Sequence, residues 1–193
     1  RPVIKAAGGA GMAKRSLLFD GSDDHFTSAT EFVTNDAHVL SVVFRLTGDL
    51  TDSTADAIIS GDNLGLNRLH VYSENALLIR YNGTGSGNAG ITLNHNNTAN
   101  STVNYQLTNG VEVLIIRKDT SNNVYVYNKN ADFISYYPAD TKTDIGFGFG
   151  TIGIQLASTA PTAGYIGEFA IHNGDPGETA CKDIAKYLYD KWN

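Results

Sequence analysis

The sequence predicts an all-β fold, a sandwich of two antiparallel sheets with one short C-terminal helix. Two observations carry this. Most of the chain consists of short runs of alternating or β-branched residues separated by clusters of Gly, Asn, Asp and Ser, the pattern of a turn-rich sandwich. Only the stretch after Asp175 places apolar residues three and four apart, as an amphipathic helix does. The length of 193 residues suits one domain, and a chain of that size buries roughly 70% of the surface its unfolded form exposes. The single cysteine, Cys181, rules out an intramolecular disulfide.

Taken in order, Ser16-Leu-Leu-Phe-Asp20 reads as the first strand and Gly21-Ser-Asp-Asp24 as its turn. Val39–Leu46, Arg68–Tyr72, Ala76–Tyr81 and Val111–Arg117 are the clearest further strands, and Asp119–Asn123 turns the chain into Val124–Tyr127 as a hairpin. Between Asn82 and Asn109 there are eight asparagines and almost no charge. Gly90–Asn94 and Ser101–Leu107 still alternate there, giving two polar strands joined by a loop; such amides suit sugar hydroxyls or an ordinary wet surface equally well. Gly164–Asn173 is the last alternating run. The helix starts with Asp175 as N-cap, Pro176 at the first helical position and Glu178 three residues after the cap. Cys181, Ile184, Leu188 and Trp192 form its apolar stripe, so Trp192 reads as a packing anchor and Cys181 as a buried, inert thiol.

Charge is divided unevenly. Arg1, Lys5, Lys14 and Arg15 all precede the first acid, so residues 20–193 carry ten basic and twenty acidic side chains, a net charge of -10. Such a body is a poor partner for nucleic acid, where affinity rests on cations against phosphates. Residues 1–15, with Gly8-Gly-Ala-Gly11 at their centre, read as a flexible basic linker or as an extended arm that docks on a partner. Met12-Ala-Lys-Arg-Ser16 is a natural domain start, so residues 1–11 read as the tail of an upstream region or a product of processing. No apolar run approaches a membrane span, and no signal peptide is visible.

The stretch Gly164-Tyr-Ile-Gly-Glu-Phe-Ala-Ile-His-Asn-Gly174 with the helix after it resembles the closing element of concanavalin A-like (laminin-G-like) jelly-roll domains. Ser16-Leu-Leu-Phe-Asp-Gly-Ser-Asp-Asp24 resembles their opening strand and turn. The resemblance implies a jelly roll over residues 16–193. The opening Met12-Ala-Lys-Arg-Ser-Leu-Leu-Phe-Asp-Gly21 and the ending Ile184-Ala-Lys-Tyr-Leu-Tyr-Asp-Lys-Trp192 are similar to stand-alone domains of bacteriophage structural proteins. The role implied is a non-catalytic subunit of a virion, a capsid decoration or tail appendage. It would assemble with other virion proteins through Arg1, Lys5, Lys14 and Arg15, as a homo-oligomer. The alternative is a glycan-binding adhesin or lectin-like domain of a bacterial surface or phage fibre protein, secreted or at the cell surface.

Enzymes of this fold set the test for catalysis. Laminarinase-type hydrolases carry Glu-x-Asp-x-x-Glu on one strand, because retaining hydrolysis needs two carboxylates about 5 Å apart. The glutamates here are Glu31, Glu74, Glu112, Glu168 and Glu178, and none is followed two residues later by Asp. Glu168 matches a structural position of the family. His25, His38, His70, His95 and His172 lack metal-ligand spacing, and no Gly-x-Ser-x-Gly elbow occurs. Gly85-Ser-Gly-Asn-Ala-Gly90 fits a dinucleotide fingerprint in letters but leads into a strand, where a phosphate site needs a helix. The expectation is that the protein is not an enzyme and requires no cofactor.

Calcium is the ion the resemblance suggests, held by oxygens of Asp20, Asp23 and Asp24, of Asp62 and Asn63, or of Asn173 and Asp175. The same residues serve equally as turn formers and helix caps, the reading favoured for want of a regular ligand spacing. For a glycan surface the candidates are His70 and Tyr72, Arg80, and Tyr125 and Tyr127, polar or aromatic residues on strands. Tyrosines filling a sandwich explain that pattern too. The sequons at Asn82, Asn96 and Asn100 matter only in a eukaryotic secretory protein.

Overall fold

Side chains alternate across a strand, so an apolar run with no polar interruptions is stable only where both faces are covered. Val39-Leu-Ser-Val-Val-Phe44 comes close to such a run, with the small, buried Ser41 as its one polar residue, and it lies at the heart of the molecule. The computed structural model describes residues 3–5, 11–34, 36–47, 56–60, 68–72, 76–84, 89–93, 107–137, 143–155 and 160–193. These form β1 (Val3–Lys5), β2 (Ser16–Asp20), β3 (Phe26–Thr34), β4 (His38–Leu46), β5 (Asp56–Ser60), β6 (Arg68–Tyr72), β7 (Ala76–Thr84) and β8 (Ala89–Leu93). They continue with β9 (Glu112–Lys118), β10 (Val124–Tyr127), β11 (Phe133–Tyr137), β12 (Thr143–Ile152), β13 (Ile154–Gln155), β14 (Ala160–Pro161), β15 (Ala163–Asn173) and α1 (Gly177–Trp192).

Seven strands build one sheet in the order β1-β2-β15-β4-β9-β10-β11, and six build the other as β3-β12-β5-β6-β7-β8; β13 and β14 form a small ribbon. Every pairing is antiparallel. Leu40, Val42, Phe44, Leu114, Ile116, Val124, Val126 and Ile166 of the larger sheet meet Ile58 and Leu69 of the smaller in the inter-sheet core. The opposite residues of the same strands, Val39, Val43, Val113, Ile115 and Tyr127, meet Cys181, Ala185, Leu188 and Trp192 of the helix. The larger sheet is therefore buried on both sides at β4 and β9, which is why those strands read as continuous apolar runs. Each such side chain contributes roughly 1.5–3 kcal/mol on burial.

The helix stripe follows the expected spacing, with Ala185 fully buried and Ile184 packed at its margin. Its start differs from the expectation. Pro176 is the N-cap and makes no side-chain cap bond, while Asp175 lies one residue further out and accepts the Gly177 N–H at 2.9 Å. The carboxylate is drawn outward by Arg117, which it binds through both oxygens.

Within residues 1–15, the described parts lie against the domain. Val3–Lys5 pairs with β2, Met12 is fully buried in the helix–sheet core, and the Ala13 N–H donates to the Trp192 carbonyl at 2.9 Å. One apolar side chain following Gly11 is enough to anchor the chain from residue 12, ahead of the boundary placed at Ser16. Lys14 and Arg15 are exposed, whereas Arg1 and the side chain of Lys5 lie outside the described residues. Of the two polar strands expected after Asn82, the first is β8; residues 101–106 lie outside the described residues.

Candidate functional site

Strand β15 runs the length of the larger sheet between β2 and β4, pairing Ala163 with Asp20 at one end and Asn173 with His38 at the other. Ten residues at about 3.3 Å each separate the two ends by roughly 33 Å. The candidate calcium oxygens divide between them and cannot form one site. Asp62 and Asn63 lie outside the described residues.

At the first end, β2 terminates at Asp20 and Gly21 takes φ +79°, a conformation open to glycine that reverses the chain towards β3. Asp20 accepts the Ser22 N–H at 2.8 Å, and Asp24 reaches back to accept the Asp20 N–H at 3.1 Å. These bonds gather the carboxylates of Asp20, Asp23 and Asp24 to within 4.8 Å of one another, the first two exposed and the third buried. Hard anionic oxygens in this number fit a divalent cation such as calcium in kind; completing six to eight ligands requires water or backbone oxygens. An ion held there would offset the mutual repulsion of the carboxylates and tie the β2–β3 turn together.

At the other end the polar groups are engaged with one another. Arg117 on β9 holds Asp175 at 2.5 and 2.7 Å and lies 4.7 Å from the Tyr125 ring centre, and the Tyr125 hydroxyl donates to Asp119 at 3.2 Å. Hydrogen bonding from Arg117 keeps Asp175 below the usual carboxylate range despite partial burial. In this structure Asp175 acts as a clamp between helix and sheet, both of its oxygens engaged by Arg117. Beside it, His38 is fully buried with Nδ1 2.8 Å from the Asp36 carbonyl, directly across from the buried Lys118. Burial lowers the His38 pKa, and the Lys118 charge lowers it further against the pull of Asp36.

The glycan candidates also divide. Tyr127 is only 1% exposed and Tyr125 packs against the same helix-side core. The reason is strand parity: residues 125 and 127 share the face that α1 covers. Tyr127 is thus part of the core, while Tyr125 is half-buried at its margin. His70 and Tyr72 lie on β6 and Arg80 on β7, in the other sheet, with His70 paired to Leu78 and Tyr72 to Ala76. The backbone places these three on adjacent strands; their side chains lie outside the described residues.

Each glutamate with a described side chain is held by a lysine. Glu112 is fully buried, accepts Thr108 N–H and Oγ1–H, and pairs with Lys129 at 3.0 Å. Glu178 pairs with Lys182 one turn along α1. Glu168 accepts Lys191 Nζ at 2.6 Å and Trp192 Nε1 at 2.9 Å. Burial alone would raise its pKa, but these donors outweigh burial and keep the carboxyl below its ordinary value. It sits at a bulge where Gly167 is the extra residue between Ile166↔Phe44 and Glu168↔Val43. A Cβ at Gly167 would lie 2.7 Å from the Trp192 ring and 2.9 Å from Met12. The glycine leaves room for the indole, and the bulge turns Glu168 to meet it. Cys181 is buried, and desolvation pushes its thiol up to about 11, so it is unreactive near neutral pH.

The architecture is shared with solved proteins. The receptor-binding domain of botulinum neurotoxin type G superposes with a TM-score of 0.59 at 12% identity, over 97% of this chain and 46% of that one. The heptameric SAP-like pentraxin of Limulus polyphemus gives 0.60 at 10%, over 89% and 81%. The fold is a concanavalin A-like jelly roll. The binding domain of Paraclostridial Mosquitocidal Protein 1 shares it as well, with a TM-score of 0.63 at 10% identity over 97% of this chain and 46% of that domain. The jelly roll thus spans about half the length of each toxin domain. At these identities the likeness is one of fold. No protein-family model and no curated protein matches the sequence. Among the described residues, no helix of the jelly roll is long and apolar enough to cross a membrane.

Proposed function

We propose that this chain is a non-catalytic attachment module, set in a bacteriophage particle as a capsid decoration or tail appendage. The observation that carries the attachment role is the jelly-roll fold itself, shared over almost the whole chain with one domain described as receptor-binding and another described as a binding domain. The engagement of Glu112, Glu168 and Glu178 by lysines supports the non-catalytic part, since a hydrolase needs a free carboxylate pair. The virion setting is supported by the sequence resemblance at the two ends of the domain. In this reading the basic N-terminal segment joins the subunit to other virion proteins and to further copies of itself. A calcium ion at Asp20, Asp23 and Asp24 belongs to the same proposal, as a brace for the β2–β3 turn.

A second reading, a glycan-binding adhesin or lectin-like domain at a cell surface, is favoured by the same toxin likenesses. It places the sugar against the smaller sheet, near His70, Tyr72 and Arg80. Labelling the chain with specific antibody on purified particles, beside a glycan array probed with the multimerised protein, separates the two. Symmetric copies on a virion are expected from the first reading. Glycan binding by a protein absent from particles would replace it with the second.

A further inference from the structure

Among the described residues, strand β1 is an edge strand that pairs with β2 only, through Val3↔Leu18, Ile4↔Leu17 and Lys5↔Ser16. Just downstream the chain is pinned, because Met12 is buried beside Trp192 and Gly167 and Ala13 bonds to the Trp192 carbonyl. Between these points lies Ala6-Ala-Gly-Gly-Ala10, with no side chain larger than a methyl group.

The closed edge is weakly held. Ordering each residue costs about 1–2 kcal/mol, and a net hydrogen bond returns only about 0.5–1.5 kcal/mol. Ser16, across from Lys5, buries its Oγ with no hydrogen-bond partner among the described residues. The same ladder forms equally well with β2 of another copy, so connection length and concentration decide between the two. Six residues from the Met12 anchor reach about 20 Å when extended.

We propose that β1 is an exchangeable strand, which pairs with β2 of a second copy of this chain and joins the two by reciprocal exchange. This rests on the assembly role given above to the N-terminal segment and names its partner. The test uses the full chain carrying Val3→Cys and Leu18→Cys, register partners that a disulfide can bridge. Oxidised over a range of protein concentrations and run denatured without reductant, it should give covalent dimers whose share rises at least several-fold with concentration. A monomer with an internal bridge at every concentration overturns the proposal. Cys181, buried and with a raised pKa, does not compete. Should the double variant misfold, native mass spectrometry of the natural chain beside one lacking residues 1–5 decides. A dimer lost on deletion supports exchange, while a dimer kept after it, or no dimer at all, overturns it. Surface binding by the truncated chain is read separately, so failure of exchange is distinguishable from failure of the attachment role.

Discussion

The two ends of β15 use polar residues in opposite ways. At the Asn173 end Arg117, Asp175, Tyr125 and Asp119 satisfy one another, and His38 and Lys118 are buried side by side. At the Ala163 end three carboxylates converge with two of them facing solvent. The first end joins helix to sheet, so its chemistry is consumed by the fold. The second is held by turn hydrogen bonds, with Asp20 and Asp23 facing solvent and Asp24 buried. An abundance of polar side chains therefore does not locate a binding site; what matters is whether their partners lie inside the molecule.

Substitutions can break this contrast, with the largest effects expected under the helix. Trp192→Ala removes the indole packed on Gly167 and Met12 and the donor to Glu168, and should cost about 3–5 kcal/mol in urea unfolding. Loss below 1 kcal/mol would show that the helix is not anchored there. Arg117→Ala should cost about 2 kcal/mol, as expected for charge-assisted bonds at partial exposure. A double-mutant cycle with Asp175→Asn should recover most of this as coupling; purely additive effects would mean that the clamp contributes nothing.

Acidity probes the same end. The folded state lowers the His38 pKa below its ordinary 6.5, so the unfolded chain takes up that proton first. Stability from this group is complete above pH 6.5 and falls as pH drops through 6.5 towards the lowered value. Asp175 and Glu168, both depressed, add a loss at lower pH, from their unfolded pKa values downwards. His38→Asn should remove the upper step and leave the lower one. An unchanged profile of melting temperature against pH contradicts the assignment.

The smallest effects belong to the acidic turn. Asp23→Asn should change stability by no more than about 0.5 kcal/mol without calcium, as exposed substitutions generally do. With calcium in large excess, the natural protein should gain about 2–3 kcal/mol at a hundredfold ratio to the dissociation constant, and Asp20→Asn with Asp23→Asn should abolish that gain. No calcium-dependent shift in the natural protein removes the ion from the account.

Much of the fold is legible in the sequence because it is written locally. The periodicities of β4, β6, β7, β9 and β10 and the stripe of α1 each emerge from a few neighbouring residues. The departures are long-range. Asp175 has the look of an N-cap, but its partner Arg117 is 58 residues away. Met12 sits in a glycine-rich segment whose composition signals freedom, and its burial depends on the far end of the chain. Tyr125 and Tyr127 share a face, and spacing alone leaves open whether water or a helix covers it. One signal was present: Val113, Ile115 and Val43 sit in runs too apolar for a one-sided sheet, and α1 needed an apolar surface to lie on. The acidic turn was legible as a group, because all three carboxylates come from one short turn.

The most direct test of the central claim is to incubate the multimerised full chain with bacterial cells and their isolated surface polysaccharides, recording retention and release of reducing ends together. An attachment module predicts saturable retention without release. Turnover abolished by Glu168→Gln, or the absence of retention on every surface tried, would contradict it.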